Sequence, residues 1–183
     1  MELMTAVAVR PRSLVVLAGL PGAGKSTLLA HLDAGGVPVV VLDSDQVRAR
    51  LRTVFPARLP YRFYRPLVHL VHRARVLLFA AGRTGLLVVH EPSTRPTTRA
   101  WLVLVGFLAV RHRQFLWLDA TAEEAMAGQV ERGRLVRGTS FARHVRRAAW
   151  LRDRFAEGWV PRGWHALTVL TRRDRVRLSV TPD

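Results

Sequence analysis

The chain has 183 residues, 49% apolar and 23% charged, which is enough for one folded core and unlike a disordered or fibrous composition. It lacks cysteine, which excludes disulfides and thiolate metal sites, and no apolar run approaches the roughly 18 residues of a membrane span. The formal charge of +16 implies anionic partners, but the 29 basic residues are scattered rather than gathered in one tail. That pattern fits a basic surface around small anionic ligands and leaves nucleic acid as the second choice of partner.

Met1 to Val9 is mildly apolar without a basic flank, so no leader or membrane association is expected and the cytoplasm is the default compartment. Leu14 to Ala18 reads as a strand. It runs into Gly19-Leu20-Pro21-Gly22-Ala23-Gly24-Lys25-Ser26-Thr27, and Leu28, Leu29 and Leu32 follow at helical spacing. Strand, glycine loop and helix are the context in which G-x-x-x-x-G-K-[ST] forms a phosphate-binding loop. Gly19, Gly22 and Gly24, with Pro21, Ala23 and Thr27 between and beside them, let backbone N–H groups turn inward where a side chain would block the approach of phosphate. The helix start adds unpaired N–H groups and the positive end of its dipole. Lys25 is placed to reach the β- and γ-phosphates, and the Ser26 hydroxyl to ligate Mg²⁺. Lys25 is also the only lysine in the chain. Arginine fills every other basic position, and a flexible point-charge donor is a task that arginine does not simply inherit.

The first helix should run from Lys25 to Leu32 and stop at Asp33-Ala34-Gly35-Gly36. Val37 to Leu42 has the valine-rich character of a buried parallel strand. It ends in Asp43-Ser44-Asp45, after which Gln46 to Leu51 looks helical. Carboxylates ending the strand beside the glycine loop sit at the ligand edge of an open α/β sheet. One of them can help hold Mg²⁺ while the other accepts a proton from an attacking hydroxyl. Arg48 would share the helix face of Asp45. The competing assignment is that Asp43 or Ser44 caps the helix and Asp45 favours its dipole, although capping requires only one of them.

The glycine loop followed by Leu42-Asp43-Ser44-Asp45-Gln46-Val47-Arg48 resembles the P-loop kinase group that includes polynucleotide kinase, shikimate kinase, adenylylsulfate kinase, chloramphenicol phosphotransferase and zeta-toxin-like enzymes. The resemblance implies that Asp45 contacts the acceptor hydroxyl and acts as base. The Asp-x-Asp form is similar to shikimate and adenylylsulfate kinases, with Asp43 near the metal. The Asp-x-x-Arg form, Asp45 to Arg48, is similar to polynucleotide kinases.

Thr53 to Pro60 should be a loop and Tyr61 to Ala81 a helix, with Pro66 in an early turn and Val68, Val71, Arg75, Leu78 and Phe79 along a partly apolar face. In the resembling kinases this region often builds the acceptor pocket. That makes Tyr61, Tyr64, Arg65 and His69 substrate-binding candidates, together with Phe55, Phe63 and His72, each against the alternative of core packing or solvated surface. His69 and His72 have no evident third ligand, so a zinc site is rejected. Gly82-Arg83-Thr84-Gly85 breaks the helix, and Leu86 to Val89 is a buried strand closed by His90-Glu91. Glu91 joins Ser26 and Asp43 in the candidate Mg²⁺ set, and Arg95 and Arg99 just beyond are placed to grip the acceptor.

Thr98 to Val110 reads as an apolar helix and Gln114 to Leu118 as the fourth strand. Thr121 or Asp119 then caps a helix with Glu123 and Glu124 in its first turn. The segment 132–138 resembles the lid of nucleotide kinases, with Arg132, Arg134 and Arg137 closing over the nucleotide to stabilise the transferring phosphoryl. Thr139 to Ala156 is a basic amphipathic helix with Phe141, Val145, Ala148, Ala149 and Leu151 inward. Ala166 to Leu170 should be the fifth strand, with Arg173 near the nucleotide base, and Val176 to Val180 a short edge strand.

The sequence therefore predicts a single α/β domain over residues 1–183: a three-layer α/β/α P-loop fold with a five-stranded, mainly parallel sheet and an arginine-rich lid. The expected activity is transfer of the γ-phosphoryl of ATP or GTP, with Mg²⁺, to a hydroxyl of a small molecule such as a nucleoside-like or other antibiotic compound. Lys25, Asp45, Arg132 and Arg137 are the catalytic candidates. The alternatives are a polynucleotide 5′-hydroxyl kinase and, from another class, a nucleotide-binding switch or assembly ATPase.

Overall fold

Valine- and leucine-rich runs alternate with amphipathic segments along the chain, and each run that is apolar without alternation must be covered on both faces. The computed structural model describes residues 3–56, 58–82, 85–133, 135–136 and 138–181. In chain order the elements are β1 (Leu3–Val9), β2 (Ser13–Gly19), α1 (Lys25–Ala30), β3 (Val39–Asp43), α2 (Ser44–Val54), α3 (Tyr61–Ala81) and β4 (Leu86–His90). They continue with α4 (Pro96–Leu108), β5 (His112–Leu118), α5 (Ala122–Glu131), α6 (Gly138–Ala156), β6 (Ala166–Leu170) and β7 (Asp174–Val180). Five strands form one parallel sheet in the order β3-β4-β2-β5-β6, the centre of a three-layer α/β/α fold. Every residue of β2 is buried. The core is completed on one side by aromatics: the Phe115 ring meets Trp164 edge-on at 5.0 Å and Phe155 at 6.1 Å.

The topology corrects one expectation about the site. β4 lies between β3 and β2, so Asp43 ends the second strand from the glycine loop and Glu91 follows the first. β3 starts at Val39 because Pro38 offers no N–H, although its carbonyl accepts from Leu86 N at 3.1 Å. A second correction concerns the C-terminal strand. β7 is no edge of the main sheet; it pairs in parallel with β1, a stretch given no element from sequence, to make a separate two-stranded sheet. Asp33 ties that sheet to the end of α1. Its N–H donates to Val176 O at 3.0 Å, its carbonyl accepts from Leu178 N at 2.7 Å, and its carboxylate accepts from Arg177 Nε at 2.6 Å.

The inward face of α3 is Tyr64, Val68, His72, Val76 and Ala80, every fourth residue, whereas Leu78 is 72% exposed. On α6, Phe155 is buried and Ala149 exposed. Among the described residues no helix is long and apolar enough to cross a membrane.

The C-terminal end of α3 is held by a buried cation. Arg111 donates from Nε to Ala80 O at 2.8 Å, from Nη1 to Gly85 O at 3.0 Å, and from Nη2 to Phe79 O at 3.2 Å and Gly82 O at 2.9 Å. Carbonyls at a helix end have no partner within the helix, and burying them unpaired is costly. Replacing Arg111 by Leu is expected to destabilise the protein by about 3 kcal/mol in urea unfolding. A loss below about 0.5 kcal/mol would show that water substitutes for the guanidinium.

Candidate functional site

The loop between β2 and α1 has the conformation that its glycines anticipate. Gly19, Gly22 and Gly24 all have positive φ, at 144°, 93° and 104°. Gly22 packs against α5 with no room to spare: a Cβ there would collide with the Ala125 carbonyl, and a Cβ on Gly128 would collide with the Gly22 carbonyl. Lys25 is 4% exposed, and its Nζ donates to Gly19 O at 2.9 Å and Leu20 O at 2.8 Å. Burial, with the Arg132 charge adding to it, pulls its pKa from 10.5 down to about 7. Such an ammonium gains from any phosphate that enters the loop.

Two acidic side chains face this cation from the strand ends, and their environments differ. Asp43 does cap α2, accepting from Asp45 N at 2.8 Å, while its other oxygen accepts from His90 Nδ1 at 2.6 Å. Burial raises the Asp43 carboxyl, but the His90 hydrogen bond and charge together with the Asp45 amide outweigh it, and the net shift is downward. Asp43 is thus an ionised carboxylate, hydrogen-bonded at both oxygens with acceptor capacity left on each. Glu91 is the opposite. Its side chain is 19% exposed, and the nearest basic ring atom, His72 Nε2, is 3.7 Å from Oε1, beyond hydrogen-bond reach. Burial holds His72 down to about 4, so its ring is neutral, and burial pushes Glu91 up to about 7 against the pull of Arg73 and Lys25. A hard dication with its waters suits this poorly solvated carboxylate and the Ser26 hydroxyl, so the oxygen set of Ser26, Glu91 and Asp43 fits Mg²⁺.

The remaining candidates divide between the cleft and the framework. Arg48 stacks over the Tyr61 ring at 4.1 Å, and the Tyr61 hydroxyl, raised by burial, lies within the fields of Arg48, Arg65 and Asp45. Arg65 Nε is 3.4 Å from His69 Nε2, and His69 is lowered first by burial and then by Arg65, Arg73 and Arg95. Glu91 responds to Arg73 and Arg95, the same two cations that act on His69. Tyr64 is buried with Val47 and Val68, edge-on to the Tyr61 ring at 5.2 Å and against the Phe55 ring at 5.3 Å. Arg99 is buried, and its Nη1 donates to the Ser93 and Thr94 carbonyls at 2.9 and 3.0 Å. That clamp holds Ser93 in the left-handed region at φ 49°, a conformation a serine does not adopt without support.

Arg132 ends α5 and reaches Ser26 Oγ from Nη1 at 3.4 Å. Arg134 and Arg137 lie outside the described residues. On the far side of the loop a cleft of about 150 Å³ is bordered by Gly24, Thr27, His31, Leu118, Arg172 and Arg173, which places Arg173 beside the glycine loop.

Sequence reading missed four residues here. His90 orients Asp43, and its only signal is its position as the last residue of a strand. His144 Nδ1 is 2.7 Å from Thr94 Oγ1. Gly128 gives the loop its room. Gln129, buried in α5, donates to Pro21 O at 2.9 Å and accepts from Val136 N at 2.8 Å, tying the phosphate loop to the segment after Arg132. A polar residue on the apolar side of a helix was the available clue.

The family described as AAA domain matches residues 14–157, most of the chain. No curated protein matches it by sequence. Among solved structures, a chain of the Pnkp1/Rnl/Hen1 RNA repair complex is similar at 20% identity with a TM-score of 0.61, covering 80% of this chain and 47% of that one. A chain of the PezAT chromosomal toxin-antitoxin system of Streptococcus pneumoniae is similar at 11% identity and a TM-score of 0.64, covering 91% and 70%. A putative kinase from Chloroflexus aurantiacus is similar at 14% identity and a TM-score of 0.58, covering 90% and 87%. At these identities the likeness shows the fold, and this chain spans about half the length of the RNA-repair chain.

Glu91 supplies a pH test of the geometry. Its folded value of about 7 stands above its ordinary 4.5, so its contribution to stability is fully present below 4.5 and lost as pH rises through about 7. The stability of the wild type relative to Glu91→Gln is expected to fall over that window in urea unfolding. A gap independent of pH would contradict the buried, partner-poor environment.

Proposed function

The chain belongs to the AAA domain family, and on that premise we propose that it is a P-loop phosphotransferase moving the γ-phosphoryl of ATP or GTP to a hydroxyl acceptor. The observation that carries this reading is the pairing of a desolvated Lys25 on the glycine loop with two carboxylates at the neighbouring strand ends, Asp43 and Glu91, whose charges act on it. A loop that only trapped nucleotide would not need the second half.

In the proposed mechanism the loop amides and Lys25 hold the β- and γ-phosphates, and Arg132, already within reach of Ser26, neutralises charge on the transferring group. Arg134 and Arg137 join it as proposed lid residues. Asp45 accepts the proton of the acceptor hydroxyl while the acceptor oxygen bonds to the γ-phosphorus and the bond to the β-bridging oxygen breaks, releasing the nucleoside diphosphate. The His90 hydrogen bond weakens Asp43 as a proton acceptor, and Asp45 is the proposed base. Ser26, Glu91 and Asp43 would hold Mg²⁺, which supplies charge neutralisation at the β- and γ-oxygens when bound. Arg173, on the cleft beside Gly24 and Thr27, is the proposed neighbour of the nucleotide base.

The acceptor enters beside Arg48, Tyr61, Arg65, His69 and Arg95, a lining of aromatic and cationic groups. That lining supports a small hydroxyl-bearing acceptor, and the finer proposal is a nucleoside-like or other antibiotic compound. Net charge and the Asp45–Arg48 spacing support a polynucleotide 5′-hydroxyl as the second reading; it requires steeply salt-dependent oligonucleotide binding.

Labelled ATP and GTP offered with nucleosides, antibiotics and oligonucleotides test the reaction. Asp45→Ala is expected to lower transfer by about 10²- to 10⁴-fold with nucleotide affinity kept, and Lys25→Ala to abolish it. Nucleotide hydrolysis without any transfer, unchanged in Asp45→Ala, would instead favour a switch or assembly ATPase.

A further inference from the structure

A cavity of about 280 Å³ opens between the loop after β4 and the middle of α6, lined by Thr94, Pro96, Arg99, Arg146, Arg147 and Trp150. Its arginines are of two kinds. Arg99 is committed to the Ser93 and Thr94 carbonyls and forms a wall. Arg146 and Arg147 have no ion pair and no side-chain hydrogen bond among the described residues, and no carboxylate lines the cavity. Two unpaired guanidinium groups beside a cavity without a counter-charge are a place for an anion.

The third lining group restricts what carries that anion. The Trp150 ring meets Trp159 edge-on at 5.5 Å and has Arg154 5.7 Å from its centroid, so its orientation is supported, while 49% of the residue stays open to solvent. A fixed, accessible indole beside two arginines favours a flat ring over an aliphatic chain.

The cavity is also joined to the phosphate loop. Gly19 N donates to Pro92 O at 3.2 Å, which ties the loop after β4 to the start of the glycine loop. Thr94, on the cavity wall, is bonded to His144 at 2.7 Å. Burial, then the charges of Arg95, Arg147 and Lys25, hold the His144 ring at about 4 and therefore neutral, which places cations of the cavity and of the phosphate loop around one side chain.

We propose that this cavity is the acceptor's anion subsite, taking a phosphate or carboxylate attached to a planar ring, with Arg146 and Arg147 on the anion and Trp150 against the ring. The proposal rests on the phosphotransferase reading and narrows it to acceptors that carry both a hydroxyl and a negative group.

The test uses the full chain saturated with a non-hydrolysable ATP analogue and Mg²⁺, so that the phosphate loop is filled before the probe is added. Phenyl phosphate, benzoate and benzyl alcohol are then titrated by ligand-observed NMR. One of the two anions is expected to bind at least about tenfold more tightly than benzyl alcohol, and the better of the two identifies the anion class. Arg146→Gln and Arg147→Gln, singly and together, are expected to remove that advantage, and Trp150→Ala to weaken all three probes, with affinity for the ATP analogue unchanged. Equal binding of the neutral alcohol, no anion binding by the wild type, or an arginine pair variant that binds the anion like the wild type would each overturn the subsite. The analogue titration reads the broader claim separately: arginine-dependent anion binding in a protein that binds no nucleotide supports the subsite and sinks the phosphotransferase.

Discussion

The ammonium of Lys25 rests on the carbonyls of Gly19 and Leu20, with 4% of the residue open to solvent, and the ligand edge of the sheet is arranged around that charge. Removing an ammonium from water is costly, and two neutral carbonyls compensate only in part, so the lysine is held near the point of losing its proton. The strain of that arrangement is stored where a ligand can relieve it. The backbone around it is equally constrained. Gly22 and Gly128 let α5 close on the loop, and Gln129 extends that contact to Val136 beyond Arg132. Phosphate entering the loop offers Lys25 an anionic partner in place of the Gly19 and Leu20 carbonyls.

The large excess of cations divides into groups that build and groups that wait. Arg111 satisfies the end of α3, Arg99 fixes the turn after β4, and Arg152 binds Asp119 through Nε at 2.9 and 3.0 Å. Each spends its hydrogen bonds on the protein itself. Among the described residues Arg146 and Arg147 do not, and Arg95 acts on Glu91, His69 and His144 through its field. A net charge of +16 is therefore a poor guide to partners by itself. What matters is which guanidinium groups remain unpaired beside a cavity.

Local signals in the chain carried far. The glycine loop and the alternation of apolar runs with amphipathic segments report structure through near neighbours, and both are found as read; of the two caps offered for α5, Thr121 and Asp119, it is Thr121 that serves, in a capping box with Glu124. The Asp43–Asp45 pair reads from sequence both as chemistry and as a cap; Asp43 serves as the cap while also meeting His90. What could not be read depends on residues far apart. That β4 lies between β2 and β3 is a decision of the whole sheet, and it moves Glu91 closer to the phosphate loop than Asp43 by one strand. The β1–β7 pair joins the two ends of the chain, and nothing local in either strand names the other. On α3, turning the helix face by one residue buries His72 and leaves His69 in the cleft. Arg95 and Arg99 looked alike in sequence, and only the fold of the turn after β4 separates an exposed cation from a structural clamp.

Because Lys25 is the only lysine, a protein labelled with ¹³C,¹⁵N-lysine has a single side-chain signal whose titration needs no assignment. A midpoint near 7 is expected in the free protein, far below the ordinary 10.5, with a rise when ATP and Mg²⁺ are added because bound phosphate favours the charged form. A lysine titrating near 10.5 in the free protein, or one whose midpoint does not respond to nucleotide, would contradict a desolvated cation poised for phosphate.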